Sequence, residues 1–320
     1  MEYAEFRRSL NKEVMPVYLF EGEEVYLFET GLKAITDLCV TSPEINAVTL
    51  QGDGLTPEAL LPLVSALPFL SQKRIVAVRD YYPKSSVLSG ALSPLMRGDF
   101  SDTVFVIMNQ KSCDALKKIK TVTVVSCGRQ DAATLSKWAI KRAESGGKKL
   151  SVTAANLLVT YTLSDMIKIA NEVDKLICYV GDADEITEAD IENAVTKDSE
   201  YKIYELTDSI GKKNYEKALK ILNDMIYGGE QPQKLLSNVY FYMRRLFDVA
   251  ISDKPDSELS KIFGVKEFAI KKAREQAKMF KLKKLKKTVD ALADYDYMAK
   301  SGGLDFGSAL NLAIFNLTTD

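Results

Sequence analysis

The side chains that most often carry catalysis are thinly supplied in this sequence. Histidine is absent. Its absence removes Ser-His-Asp and Cys-His nucleophilic catalysis, histidine metal ligands and phosphohistidine relays together. Any reaction would have to rest on carboxylates, lysines, tyrosines or a bound cofactor. The four cysteines, Cys39, Cys113, Cys127 and Cys178, stand too far apart for a zinc ribbon or a redox pair. Free thiols so spaced behave as small apolar residues of a reducing compartment. Asp182, Asp184 and Glu185 are grouped, but the twelve-residue spacing of a calcium loop is missing. A solvated loop ahead of a helix cap at Thr187 accounts for them.

Nucleotide chemistry is the next possibility. A phosphate-binding loop needs glycines, so that backbone N–H groups can approach the phosphates, and a lysine that reaches the β- and γ-phosphates. After the apolar run Val17–Phe20 the sequence is Glu21-Gly22-Glu23-Glu24, which places three carboxylates where a triphosphate would lie. The pattern G-x-x-x-x-G-K-S/T occurs nowhere; Gly147-Lys148 and Gly211-Lys212 lack the upstream glycine. Gly52-Asp53-Gly54 is a lone G-x-G with Pro57 in the place of the third glycine, and reads as a plain β–α turn. No cofactor or metal is expected, and the isolated chain is expected neither to bind nor to hydrolyse ATP.

Two features suit binding better than catalysis. In Leu67-Pro68-Phe69-Leu70-Ser71, large apolar residues flank a proline between a helical pattern and a strand. They form either the core contact of a β–α connection or a surface plug for a partner's pocket. The second feature is charge. Net charge is −1 overall, yet from Lys261 to Asp290 there are eleven Lys/Arg against three Asp/Glu, a local excess of +8. Lys271, Arg274, Lys278 and Lys281 recur at helical spacing, and lysine pairs interrupt the stripe Leu282, Leu285, Val289 and Leu292. This is either a solvated face whose aliphatic stems cover a core or a surface beside nucleic-acid phosphates.

The elements that must position these residues follow from pattern. Short apolar runs rich in β-branched and aromatic residues fall at 17–20, 47–50, 75–78, 103–108 and 122–125. Helical patterns at 25–38, 57–66, 84–96 and 111–119 separate them. The βαβαβαβαβ rhythm predicts a mostly parallel, doubly wound sheet. From about residue 130 the β runs stop and the sequence reads as helices. Leu135, Trp138 and Ala139 share one face, Met166, Ile169, Val173 and Leu176 another, and Thr187–Asp190 resembles a capping box. Boundaries are expected near 130 and near 200. With 320 residues, 46% hydrophobic and 27% charged, the composition is that of a soluble globular chain of two or three domains. No signal peptide or membrane span is expected, and the expected compartment is the cytoplasm.

Taken together, several segments make the chain resemble the delta subunit of the bacterial DNA polymerase III clamp loader. They are Pro16–Glu24, Leu67–Val76, Asn171–Leu176, Ile186-Thr187 with Asp190-Ile191, Ile203–Ile210, Phe263–Val265, Lys271–Arg274 and Met298–Gly302. The resemblance implies an AAA+-like α/β domain without a working ATP site (1–130), a small helical lid (131–200) and a helical collar (201–320). It implies a noncatalytic component of the DNA-directed DNA polymerase holoenzyme. Its partners would be the sliding clamp (beta subunit), the gamma/tau ATPase subunits and delta-prime in a hetero-pentamer, with primed DNA met through the complex. The family's task is to bind and open the clamp, and its clamp-binding element matches Leu67, Phe69 and Leu70. The family often carries an adjacent Leu-Phe or Phe-Phe pair; here the order is Phe69-Leu70 after Pro68, so the pair that enters the clamp stays open among these residues. Lys271, Arg274, Lys278, Lys281, Lys284 and Phe306 are candidates for DNA proximity within the assembled ring. For Phe306 a core position is the competing reading. A nucleotide-dependent ATPase or other enzyme on a related α/β scaffold is the alternative function.

Overall fold

A computed structural model describes residues 1–212, 214–265 and 267–318. The chain separates into two compact units, residues 1–131 and 132–320.

The first unit runs α1 (Tyr3–Ser9), β1 (Val17–Glu21), α2 (Val25–Cys39), α3 (Pro43–Asn46), β2 (Ala47–Gln51), α4 (Pro57–Ser65), β3 (Arg74–Arg79), α5 (Ser85–Ser89), α6 (Ser93–Arg97), β4 (Thr103–Asn109), α7 (Asp114–Lys117) and β5 (Val122–Ser126). The five strands form one parallel sheet in the order β2-β3-β4-β1-β5. Val17 stands opposite both Phe105 and Val122, and Arg74 opposite Thr103. The three inner strands are covered on both faces, which is why they read as unbroken apolar runs. The Thr56 side chain caps α4 by accepting from the Ala59 N–H, with Pro57 in the first turn.

Two predicted helices come out shorter. The pattern over 84–96 resolves into α5 and α6, broken after Gly90. Pro94 is the cause: its ring would clash with the carbonyl of residue 90 and it offers no N–H to continue the ladder. The pattern over 111–119 is helical only at α7.

The second unit runs α8 (Ala132–Ser145), β6 (Lys149–Leu150), α9 (Val152–Tyr161), α10 (Met166–Tyr179), β7 (Glu185–Ile186), α11 (Glu188–Ala194), α12 (Ser199–Gly211), α13 (Tyr215–Tyr227), α14 (Pro232–Ile251), α15 (Asp256–Phe263), α16 (Glu267–Ala277), α17 (Leu282–Lys300) and α18 (Phe306–Thr318). The expectation that β structure ends near 130 is corrected in one detail: β6 and β7 pair in parallel as a two-residue ladder. The capping box at α11 is present, with Thr187 accepting from the Asp190 N–H and the Asp190 carboxylate accepting from the Thr187 N–H. The core of the last seven helices gathers Leu206, Leu235, Val239, Met243, Leu246, Ile270, Leu285 and Leu292. No described helix is long and apolar enough to cross a membrane.

Candidate functional site

The loop between α4 and β3 carries the apolar segment. Leu67 is 77%, Phe69 60% and Leu70 83% exposed. The core-contact reading of this segment is therefore corrected. The sheet's apolar face is already filled by Leu60, Val64 and Val76, and the loop side chains stand in solvent.

Backbone anchoring holds the loop in that pose. Asn46, the last residue of α3, is 0% exposed. Its Oδ1 accepts from the Phe69 N–H (2.7 Å), and its Nδ2 donates to the Phe69 carbonyl (2.9 Å) and to that of Thr41 (2.8 Å). One side-chain amide thus grips both backbone groups of Phe69, as a neighbouring strand would. On the far side, Ser71 Oγ accepts from the Thr41 N–H (2.9 Å) and donates to the Lys73 carbonyl (3.0 Å). Between the two anchors Leu70 has φ +49°, a left-handed conformation that costs a branched L-residue energy. Pro68 limits the backbone before Phe69. The apolar pair is held out rather than loosely tethered.

The carboxyl ends of the strands are occupied by protein groups. Gly22 has φ +148°, and a Cβ on it would lie 2.2 Å from the Cys127 carbonyl oxygen. This glycine serves close approach of the β1–α2 loop to the backbone of Cys127–Gly128. Glu21 accepts from the Cys113 N–H (3.0 Å) and pairs with Lys117. Glu23 pairs with Arg129 (2.6 Å). Buried Asn109, at the end of β4, exchanges two hydrogen bonds with the Tyr81 backbone (2.7 and 2.8 Å). Among the described residues no group of three His, Cys, Asp or Glu could hold a metal ion. The Cys127 thiol is pushed up to about 12, first by burial and then by the charges of Glu2 and Glu24, so it is a core group and not a nucleophile.

In the second unit the structure sorts the basic residues. Arg274, one of the DNA-proximal candidates, is engaged within the fold. Its Nε donates to Asp256 (3.0 Å), and its Nη atoms donate to the carbonyls of Val249 and Ser252 (both 3.3 Å) and Lys254 (3.0 Å). It closes the C-terminal end of α14 against α15. Lys271 is exposed but paired with Glu267 (3.4 Å). Lys272 and Lys286 have the carboxylates of Glu275 and Asp290. Lys278 and Lys281 are exposed, and no carboxylate within 4.0 Å meets either among the described residues. Lys284 is half-buried and has a partner. Phe306 is half-buried against the helical core, in keeping with the core reading. Of the α17 stripe, Leu285 and Leu292 are buried and Val289 packs beside them, while Leu282 faces solvent.

Sequence reasoning missed Asn46, whose only local signal is a polar turn-former ahead of a strand. It also missed Lys197, whose Nζ lies 4.5 Å from the Tyr161 ring centroid and 3.2 Å from Glu205. Burial, followed by the hydrogen bond to Glu192, pushes the Tyr161 phenol well above its ordinary range.

The fold and these two features define a class: a parallel α/β unit whose strand ends are filled by protein groups, joined to a mainly helical unit, with an exposed apolar loop on the first and exposed lysines on the second. Within that class the chain resembles the delta subunit of the bacterial DNA polymerase III clamp loader along nearly its whole length. The family model described as the DNA polymerase III delta subunit, C-terminal domain, matches residues 200–317. The DNA polymerase III subunit delta of Bacillus subtilis (strain 168) is 26% identical over 97% of this chain and 95% of that protein. The probable DNA polymerase III subunit delta of Aquifex aeolicus (strain VF5) is 22% identical over 89% of this chain and 86% of that protein. Among solved structures, the Bacillus subtilis DNA clamp loader delta protein superimposes with a TM-score of 0.81 at 24% identity, covering 99% of each chain. The α/β sheet followed by helices is thus the fold of that clamp loader protein.

Proposed function

We propose that the chain is the noncatalytic subunit of a DNA polymerase III clamp loader that binds the ring-shaped sliding clamp and opens it for loading on primed DNA. The observation that carries this reading is the loop of Leu67, Phe69 and Leu70, exposed yet fixed through Asn46 and Ser71. A preorganised apolar pair binds a pocket with less ordering cost than a mobile one. Opening follows from binding if the clamp is held more tightly in its open form than in its closed form. In this reading residues 1–130 form the clamp-binding module, 131–200 a lid and 201–320 the collar that joins the gamma/tau and delta-prime subunits. Primed DNA is met in the complex, with Lys271, Lys278, Lys281 and Lys284 nearer to it than Arg274 or Phe306, and the chain works in the cytoplasm. The backbone packing at Gly22 favours this reading over a nucleotide-dependent enzyme.

The test is the double substitution Phe69→Ala with Leu70→Ala, read by titration against the clamp and by circular dichroism. Each side chain is already largely solvated. Scaling the ~1.5–3 kcal/mol of full burial by those exposures leaves about 2–4 kcal/mol, or roughly 30- to 1,000-fold in affinity, before ordering costs. A folded variant that keeps its clamp affinity contradicts the assignment.

A further inference from the structure

The ion-pair pattern of the last helices leaves several described cations without a carboxylate, and three of them stand together. Lys271, Lys272, Arg274, Lys286 and Lys300 each have a carboxylate. Among the described residues Lys281, Lys283 and Lys287 have none. These three, with Lys284, line a single groove of about 820 Å³ between the C-terminal end of α12, the start of α17 and the end of α18. No described Asp or Glu lines it. Its other walls are apolar or aromatic, including Phe280, Leu317 and Tyr215.

The fold does not account for this placement. Lys283 and Lys284 sit in the first turn of α17, where the helix dipole favours carboxylates, and α17 has no acidic residue there. Lys283 and Lys287 are four apart on one face, a like-charge pair that disfavours the helix. An anion in the groove reverses both effects. A duplex is too wide for a cleft of this size, which lies within the range of pockets for small ligands. Cations beside an exposed aromatic ring and an apolar floor are the elements that hold single strands, with phosphates on the lysines and a base against the ring.

We infer that the groove lined by Lys281, Lys283, Lys287 and Tyr215 binds a short run of single-stranded DNA. It draws on the DNA proximity in the proposed function only for the source of the strand. It goes further in that the site is complete within one chain and needs no assembled ring. Clamp binding lies in the other unit, so the two assignments fail separately.

The test uses the full chain and a labelled oligo-dT, with fluorescence anisotropy over a range of salt. Lys283→Gln with Lys287→Gln should lower affinity about tenfold and reduce the slope of log K against log salt by about 1.4, or 0.7 for each lost phosphate contact. Lys286→Gln with Lys300→Gln removes the same charge outside the groove and should change neither quantity. Tyr215→Ala should weaken binding without changing the slope. A strand carrying 4-thiothymidine, crosslinked to the unmodified chain, should label the peptides containing Tyr215 and residues 281–287, a readout that depends on no variant folding. Absent binding, equal losses in both lysine pairs, equal affinity for a duplex of the same length, or crosslinks elsewhere would each overturn the inference.

Discussion

Replacing Asn46 separates a role in presenting the loop from a role in stability. Its side chain makes three good hydrogen bonds, two to Phe69 and one to Thr41, from a fully buried position. At a net ~1 kcal/mol each, Asn46→Ala gives up about 3 kcal/mol in all. Part of that falls on global stability and part on the order of the loop, since water can reach the freed Phe69 groups. If half falls on the loop, clamp affinity drops roughly tenfold. Asn46→Asp retains the acceptor for the Phe69 N–H and loses both donors, so its affinity should fall between wild type and Asn46→Ala. The assay is a double-mutant cycle, with Asn46→Ala made in the wild-type chain and in the Phe69→Ala, Leu70→Ala chain. Clamp affinity and urea unfolding are measured for all four. The stability loss should be the same in both backgrounds, whereas the affinity loss should vanish once the two side chains are gone. An Asn46→Ala chain that is less stable but binds the clamp as well as wild type refutes the presenting role.

Three further outcomes follow from the same geometry. Arg274→Lys should lower stability by about 2 kcal/mol, because a lysine cannot replace a fork that meets Asp256 and three carbonyls, while Lys278→Ala should leave the urea midpoint unchanged. Stability should fall on the alkaline side. Burial raises the Cys127 thiol to about 12 and lifts the Tyr161, Tyr201 and Tyr242 phenols. The folded state keeps protons that the unfolded chain releases from about pH 8.5 for the thiol and about pH 10 for the phenols. Their contribution is complete below those values and declines by about 1.4 kcal/mol per pH unit per group as pH rises toward the folded values. Cys127→Ala should flatten the first part of that decline, between about pH 9 and 10, in urea melts. Leu70→Gly relieves a left-handed φ and should leave the fold at least as stable by thermal melting, yet weaken clamp binding through the lost side chain.

How much of this was legible in the sequence depended on the range of the interaction. The three inner strands of the sheet could be read because burial on both faces writes itself as a continuous apolar run, as in Thr103–Asn109, and the edge strands because they keep short runs rich in β-branched residues. The capping box at Thr187 could be read because its partners are three residues apart. The α5–α6 break depends on Pro94 acting on residue 90, a local cue overridden in the reading by the apolar period. The β6–β7 ladder could not be read, since two residues carry no period. The loop at Leu67–Leu70 had two readings because apolar type does not state which side faces water. Asn46 decides the matter from a distance, through a residue 23 positions further along. Arg274 was grouped with a basic face because helical spacing shows the face and not the partner, and Asp256 lies on the preceding helix.

The central claim is that this chain opens a clamp, and the direct measurement is of opening itself. A sliding clamp labelled with a fluorophore pair across one of its subunit interfaces is titrated with the full chain in the absence of ATP. Saturating wild-type chain should separate the pair, and the Phe69→Ala, Leu70→Ala variant should not at the same concentration. A wild-type chain that binds the clamp while the labelled interfaces stay closed would contradict the account.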